Sequence, residues 1–267
     1  MPDSLGDRMK GYYENMYRVF LTRRTPVIIR LDMRAGHSYT RGFARPYDII
    51  FKRCMWETTR RLCKNIQNAR FGYVQSDEIS ILLIDYESID TEAWFGNNLQ
   101  KIVSISASMA TLYFNQAMQK IAREECADEE QLKMYLENPH DAMFDSRAFN
   151  IPESDITNYF IWRQQDATRN SIEIAGRCYF SDKQLYKVNC KQIQDKLFTE
   201  KGVNWNDFPT FFKRGVCAVT QDVVVDNVTR KKWVIDTEIP IFTQDRGYVD
   251  KSFDDSRETD VPNDTNE

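Results

Sequence analysis

The residues best suited to chemistry follow an apolar run near the N-terminus. The segment VIIRLD, residues 27–32, ends on Asp32, and the stretch after it carries His37, Arg45 and Asp48. The β-branched run predicts a buried strand, and Asp is common where a strand gives way to a turn. A carboxylate next to basic groups suited to phosphate oxygens also indicates a nucleotide site. A second carboxylate nearby would favour the nucleotide site over a simple strand end.

The predicted secondary structure forms a β-α-β-β-α-β series. The first strand precedes a helix capped by Asp48, two strands over residues 70–75 and 79–86, a long helix over 94–119, and a short strand over 143–151. This order is that of the ferredoxin-like split unit. We therefore predict an α+β fold.

This topology supplies the second carboxylate. The first two strands run parallel with the third between them, so the end of strand one lies beside the turn between strands two and three. Asp32 is at the first of these places, and Ser76, Asp77 and Glu78 are at the second. Asp32 and Asp77 are therefore predicted neighbours, although 45 residues separate them.

Two carboxylates with basic side chains nearby predict a site for two Mg²⁺ ions that hold a triphosphate. The chain has only two histidines, so a metal would bind among oxygens, which magnesium prefers. Asp32 and Asp77 would bridge the ions, and the backbone carbonyl of Met33 can complete their shells. Paired metals assist phosphoryl transfer by clamping the attacking and leaving oxygens. Lys101, near the start of the long helix, adds an ammonium where the helix dipole also favours phosphate.

Composition narrows the class of protein. The 267 residues are 42% hydrophobic, enough for a packed core, and no apolar run reaches the roughly 18 to 20 residues of a membrane span. Without an apolar signal-peptide core at the N-terminus, and with six cysteines lacking C-x-x-C spacing, we expect a cytoplasmic protein with reduced thiols. The net charge of −4 hides a basic half, because residues 1–70 hold 15 Lys and Arg against 6 Asp and Glu. This half is either an ordinary solvated face or a surface for a polyanion.

The chain is predicted to have three parts. Residues 1–150 form the catalytic core, and residues 151–245 form a helical extension with a long β-hairpin that packs on it. Residues 246–267 form an acidic tail without a predicted fold. At the N-terminus, a stripe of apolar side chains predicts an amphipathic helix: Met9, Tyr13, Met16, Tyr17 and Phe20.

Four blocks in the same order resemble the tRNA-His guanylyltransferase family, whose enzymes add nucleotides to RNA 5′ ends in the 3′-to-5′ direction. They read RLDMRAGHSYTRGFARPYD, GYVQSDEISILL, LQKIVSISASMATLYF and YFIWRQQDATRNSI, and the resemblance covers roughly residues 5–225. It implies a catalytic core like a polymerase palm, magnesium, ATP, GTP or other nucleoside triphosphates as substrates, tRNA as partner, and a homotetramer.

The resemblance also implies roles for individual residues. The metal ligands would be Asp32, the Met33 carbonyl and Asp77. The other matched positions are those that bind the triphosphate or line the base, namely His37, Arg45, Ser76 and Lys101 for the triphosphate and Ala44 and Asp48 for the base. Asn170, which we count with the nucleotide-binding residues, matches one position of a family segment tied to the histidine tRNA.

The sequence departs from the family pattern in an informative way. Met33 stands where the family has a Gly. Arg45 stands where the family has a Lys, and this change keeps the charge but alters its geometry. After the WRQ block, members specific for the histidine tRNA carry His-Ile-Asn-Asn-Leu-Tyr-Asn, whereas this chain reads TRNSIEI over 168–174. The chain thus resembles the guanylyltransferase-like branch, associated with template-dependent repair of truncated tRNA 5′ ends.

Other functions stay open from the sequence. A strict guanylyltransferase, a nucleotide cyclase with the same palm, and a catalytically silent RNA-binding protein are the alternatives. Arg163 and Arg169 are candidates for contacts with RNA phosphates or for partners within the helix.

Overall fold

The computed structural model describes residues 4–138, 140–225 and 228–253. Its N-terminal half follows the predicted β-α-β-β-α-β order, which confirms the α+β fold class. The elements are β1 (Val27–Met33), α2 (Gly36–Tyr39), α3 (Ile49–Asn65), β2 (Ala69–Gln75), β3 (Glu78–Leu83), α4 (Leu99–Glu125), α5 (Glu129–Leu136) and β4 (Phe144–Asn150), after an N-terminal helix α1 (Leu5–Met9).

The C-terminal half adds a second helical layer and extends the same sheet. Its elements are α6 (Ile156–Tyr179), α7 (Asp182–Leu185), α8 (Cys190–Lys201), α9 (Thr210–Arg214), β5 (Val216–Val225), β6 (Val228–Asp236) and α10 (Gly247–Asp250). The strand order is β4-β1-β3-β2-β5-β6, and each neighbouring pair is antiparallel. The predicted C-terminal hairpin is therefore formed by β5 and β6, which extend the central sheet and leave β6 at its edge.

Both faces of the sheet are covered by helices. The apolar residues of β1 point alternately to either side and so contribute to two cores. Ile29 and Leu31 pack in one core with side chains of α3 and α4, such as Phe114. Ile28 lies in a second core with Phe71 and with Phe160 of α6. Further along β1, the side facing α6 carries polar residues, so Asp32 lies at the end of that face.

Capping residues set where the two long core helices begin. Asp48 caps α3 as predicted, since its carboxylate accepts from the backbone N–H of Phe51. The long helix predicted from residue 94 differs, because Trp94–Asn97 form a separate 3₁₀ turn and α4 begins after the cap Asn98. Positive φ angles in that turn, at Phe95 for example, break the helix there.

The N-terminal amphipathic segment leaves its apolar side chains in solvent. α1 continues as a π-helical turn over Lys10–Glu14 and a 3₁₀ turn over Asn15–Tyr17. The side chains of the predicted stripe are between 42% and 77% exposed. The side chains of the predicted stripe are therefore largely open to solvent rather than buried in a core of the described chain.

The last described residues fold against the body. Val249 of α10 is fully buried in the core that contains Phe242. The boundary predicted at residue 246 thus falls within folded chain, and the predicted tail from residue 254 onward lies outside the described residues. Among the helices of the described ranges, none combines the length and apolarity that a membrane crossing requires.

Candidate active site

The end of β1 and the turn between β2 and β3 meet as the strand order predicts. The backbone N–H of Met33 donates to the carbonyl of Asp77 at 3.1 Å, and Asp32 is paired in register with Glu78. Ser76 adopts a left-handed φ of 49°, which makes the tight turn. Asp32 and Asp77 are therefore neighbours at one edge of the sheet, and Met33 lies on the strand end between them.

Met33 fits this position without backbone strain. It is the last residue of β1 and is not among the residues with positive φ. The Gly that the resembled family carries at this position is therefore not required for the local conformation. The left-handed position comes two residues later, at Ala35, which precedes α2.

The electrostatics of Asp32 are those of a crowded carboxylate. Burial raises the pKa of Asp32 above its ordinary value, and the charges of Asp77 and of Asp145 on β4 raise it further. Asp145 is the register partner of Asp32 across β1 and β4. A bound cation would relieve this repulsion, so the arrangement favours a positive ligand.

The oxygen atoms at this edge of the sheet suit a hard cation that takes few of its ligands from the protein. Within the described residues, no group of three or more His, Cys, Asp or Glu is placed to hold a metal. Glu78 is not free to join the pair, because Arg30 and Arg163 both form ion pairs with it. The site therefore offers two carboxylates and a backbone carbonyl, and substrate oxygens would complete the shell of a magnesium ion.

Two adjoining cavities lie beside the β2–β3 turn. The first, which we call the carboxylate cavity, measures about 770 Å³ and is lined by His37, Arg45, Ser76 and Asp77. The second, which we call the α3 recess, is lined by Ala44, Asp48 and Lys52 among others. It measures about 80 Å³, which is room for several water molecules. The two share six lining residues: Thr40, Arg45, Pro46, Phe51, Ser76 and Ile174. They therefore form one continuous hollow.

The lining of the α3 recess mixes aromatic and apolar side chains with nearly as many polar or charged ones. Predicted base-lining residues Ala44 and Asp48 line it, as does Asn170 of α6. The carboxylate of Asp48 is already engaged, since it accepts from the N–H groups of Ala44 and Phe51 and from the Tyr135 hydroxyl. Asp48 thus holds the loop and the start of α3 in place, and its buried carboxylate has little capacity left for a base.

Lys101 is not brought to this site within one chain. It lies exposed in the first turn of α4, whose cap Asn98 pairs with Phe20. That end of α4 lies near the start of β1, because Asn97 and Asn150 both donate to the carbonyl of Thr22. Asp32 is at the other end of β1, on the face away from α4. Lys101 lines neither cavity.

Arg163 requires a correction. Its side chain is only 3% exposed and forms ion pairs with Glu78 and Asp166. A buried, paired guanidinium cannot bind RNA phosphates, so Arg163 instead ties α6 to the carboxylate edge of the sheet. Arg169 is 59% exposed and pairs with the same Asp166, which leaves it accessible.

Three residues at the site were missed by reasoning from sequence. Gly36 lies against the carboxylate of Asp77, and Arg177 of α6 lines the carboxylate cavity. Lys52 of α3 lines the recess, and burial there lowers its pKa to about 8. Lys52 follows the cap Asp48 by one helical turn, and this spacing puts both residues on one face of the helix. The signal was missed because the sequence analysis treated Asp48 only as a helix cap and as a family match.

Comparison with known proteins identifies the family of this chain. A family model described as "Thg1: tRNAHis guanylyltransferase" matches residues 6–152, more than half of the chain. The chain belongs to the Thg1 family. Thg1-family enzymes are nucleotidyltransferases that act on tRNA, and this chain is accordingly a nucleotide-adding enzyme.

Solved structures and a curated relative extend the match beyond the family model. A bacterial Thg1-like protein in complex with ATP is 44% identical, with 93% of this chain and 99% of that chain covered and a TM-score of 0.81. The complex of such a bacterial protein with GTP is 43% identical, with 94% and 99% covered and a TM-score of 0.77. The tRNA(His) guanylyltransferase of Saccharomyces cerevisiae is 24% identical, over 71% of this chain and 80% of that protein.

Proposed function

We propose that this Thg1-family protein repairs truncated tRNA by adding nucleotides to the 5′ end, in the 3′-to-5′ direction and opposite a template base. The observation that carries the proposal is the meeting of Asp32 and Asp77 beside a hollow lined by His37, Arg45 and Ser76. Such an arrangement suits phosphoryl transfer, in which charge neutralisation and positioning do most of the work.

The substrate would be a nucleoside triphosphate. Bacterial Thg1-like proteins bind ATP and GTP, and the chain presents cations where the triphosphate would lie. His37 and Arg45 line the carboxylate cavity together with Asp77, so the phosphates would lie there. The nucleoside would then extend into the α3 recess, whose rings suit a base and where Ala44 and Asn170 lie.

Asp32, Asp77 and the Met33 carbonyl would hold two magnesium ions, which would supply charge neutralisation for the attacking and leaving oxygens. The protein's own residues orient the substrate. Arg45 can donate two parallel hydrogen bonds to phosphate oxygens, and Ser76 sits on the rigid turn that also fixes Asp77. Gly36 leaves space for the Asp77 carboxylate.

Repair, rather than addition of G to the histidine tRNA alone, is favoured by residues 168–174. This segment lies in α6 and is fixed internally, since Thr168 donates to the carbonyl of Lys213 and Trp205 donates to Ser171. Its sequence lacks most of the family motif tied to the histidine tRNA. Without that motif, base pairing to the template strand would select the nucleotide.

The tRNA-binding enzyme is proposed to be a homotetramer of the cytoplasm. The exposed apolar side chains of the N-terminal segment, such as Tyr13 and Met16, support assembly, because subunit contacts would cover them. Lys101, exposed and remote from Asp32, would reach a triphosphate only in another subunit. All six cysteines are free thiols, which fits a reducing compartment.

The proposed function is tested by incubating the protein with magnesium, labelled nucleoside triphosphates and a tRNA that lacks its first nucleotide. Extension of the 5′ end supports repair. A cyclic nucleotide as product would identify a cyclase instead, and RNA binding without any product would identify a silent RNA-binding protein. Addition of G alone, and to the histidine tRNA alone, would identify a strict guanylyltransferase.

A further inference from the structure

Trp162 of α6 is a large aromatic side chain that the fold leaves half in solvent. It is 50% exposed, and the guanidinium of Arg163 lies 3.9 Å from the centre of its indole ring. Arg163 is itself buried and is held by ion pairs with Glu78 and Asp166. A cation over the face of a Trp ring attracts it, so the indole rests on a fixed support. The exposed part of this ring is therefore available to a ligand.

The ring lies close to the carboxylate end of β1. The guanidinium of Arg30 is 6.0 Å from the centre of the Trp162 ring. Arg30 and Asp32 are two residues apart on β1, so they point to the same face of the sheet and lie about 7 Å apart along the strand. This is the face on which α6 packs. Trp162 therefore stands beside one of the two carboxylates that we assign to metal binding.

The sheet next to Trp162 ends at β4, an edge strand with exposed side chains. Arg147 of β4 pairs in register with Arg30 and so points to the same face, as does Phe149 two residues further on. The side chain of Arg147 is largely exposed, and Phe149 is partly so. Arg147 pairs with Asp145 at 3.2 Å, but an exposed pair of this kind is weak. This edge thus combines exposed rings with a cation, the combination that binds single-stranded RNA.

We propose that Trp162 stacks on a base of the unpaired 3′ strand of the truncated tRNA, the strand that extends past the missing 5′ nucleotide. The inference rests on the proposed function, because it takes Asp32 as the place where the 5′ end of the RNA reacts. The 5′-terminal nucleotide of the RNA is already paired and stacked in the duplex. Bases of the opposite strand beyond it lack a stacking neighbour, and aromatic side chains bind such bases. Trp162 is thus a positioning residue for the template strand.

Stacking on Trp162 leaves the choice of nucleotide to base pairing. Every base has a π-face, so an aromatic ring binds any base without reading its edge. The contact fixes where the template strand lies and adds affinity whatever its sequence. Arg147 would contact a phosphate of the same strand. The inference therefore agrees with template-dependent addition.

Binding of RNA in the absence of nucleotides tests this inference. One RNA is a 5′-truncated tRNA whose unpaired 3′ strand carries 2-aminopurine, a base whose fluorescence is quenched by stacking. The other has the same acceptor stem with a blunt end. We expect Trp162→Leu to abolish the quenching and to weaken the first RNA by about tenfold, a usual loss for one stacked base. The blunt RNA should change by less than about twofold.

Two further variants complete the test. Trp162→Phe keeps a ring and is expected to retain most of the quenching and of the affinity. Phe198→Leu is the matched control, because Phe198 is an exposed ring on α8 that lines neither cavity. It should leave the quenching and both affinities unchanged.

Three results would overturn the inference. They are equal weakening of both RNAs by Trp162→Leu, unchanged binding of the RNA with the unpaired strand, and a change in the number of subunits in analytical ultracentrifugation. The last result would assign Trp162 to a contact between copies of the chain. Failure of the proposed function is distinguishable, because the wild-type protein would then extend no truncated tRNA, whatever Trp162→Leu does to RNA binding.

Discussion

The carboxylate of Asp77 lies directly against the Cα of Gly36. A Cβ built at position 36 would be 2.0 Å from Oδ2 of Asp77, far inside contact distance. Both residues are fixed by neighbouring backbone, since Asp77 is in the β2–β3 turn and Gly36 begins α2. Gly36 therefore sets the position of a carboxylate that we assign to metal binding.

Gly36→Ala should lower the rate of nucleotide addition by about a hundredfold, since a displacement of about 1 Å can cost that much. The melting temperature should change little, because only the end of one side chain has to move. Single-turnover extension and thermal denaturation measure the two effects. Gly247→Ala, where nothing lies closer than 3.5 Å to the new Cβ, is the matched control and should leave both values unchanged.

Replacing either carboxylate with its amide, in Asp32→Asn or Asp77→Asn, should abolish nucleotide addition while the fold is kept. Each change removes a ligand from the proposed metal pair but no packing group. The measurement is extension of a truncated tRNA at saturating magnesium, with circular dichroism as the check on folding. Near-normal turnover in Asp77→Asn would rule out the two-metal site.

The metal-free protein should become more stable when Asp32 is neutralised. Its pKa is raised in the folded state, mainly by burial and then by Asp77, so the charged form costs folding energy at pH values above that pKa. Asp32→Asn should therefore raise the melting temperature at pH 7 to 8. The gain should shrink as the pH falls through the carboxyl pKa, because the wild-type group then becomes neutral. A lower melting temperature at pH 8 would show that Asp32 is held for structure.

The ion pairs of Arg163 should be a large stability determinant. Arg163→Met removes one of the two partners of the buried Glu78 and leaves Arg30, so the cost should lie at the lower end of the about 3–5 kcal/mol for breaking a buried pair. Urea unfolding at neutral pH measures this. The double variant with Glu78→Gln should lose less than the sum of the single losses. Arg169→Met, which removes an exposed partner of Asp166, should cost below about 1 kcal/mol.

The site's main contact could be predicted because it follows from strand order alone. Once the β-α-β-β-α-β series was read from hydrophobic patterns, Asp32 and Asp77 had to lie at one sheet edge, and the Met33–Asp77 hydrogen bond confirms it. The predicted order also placed Lys101 near the start of a helix. It did not show at which end of the sheet, or on which of its faces, that turn of the helix would lie.

Burial was harder to predict than topology. Arg163 is a charged residue within a polar block, and nothing local shows that α6 buries it against Glu78. Lys52 lies among residues of an otherwise amphipathic helix, and only the packing of α6 and α9 around the recess reveals it as part of a cavity. The N-terminal stripe had the periodicity of a core helix, yet its side chains are largely exposed in the described chain.

Template-dependent addition is the central claim, and one comparison tests it most directly. A 5′-truncated tRNA is prepared with each of the four bases opposite the missing position, and incorporation of G, C, A and U is measured on every template. We expect the complementary nucleotide to be added in each case, since base pairing would carry the sequence information while the protein reads shape and backbone. Addition of G with equal efficiency opposite all four bases, confined to the histidine tRNA, would contradict the account.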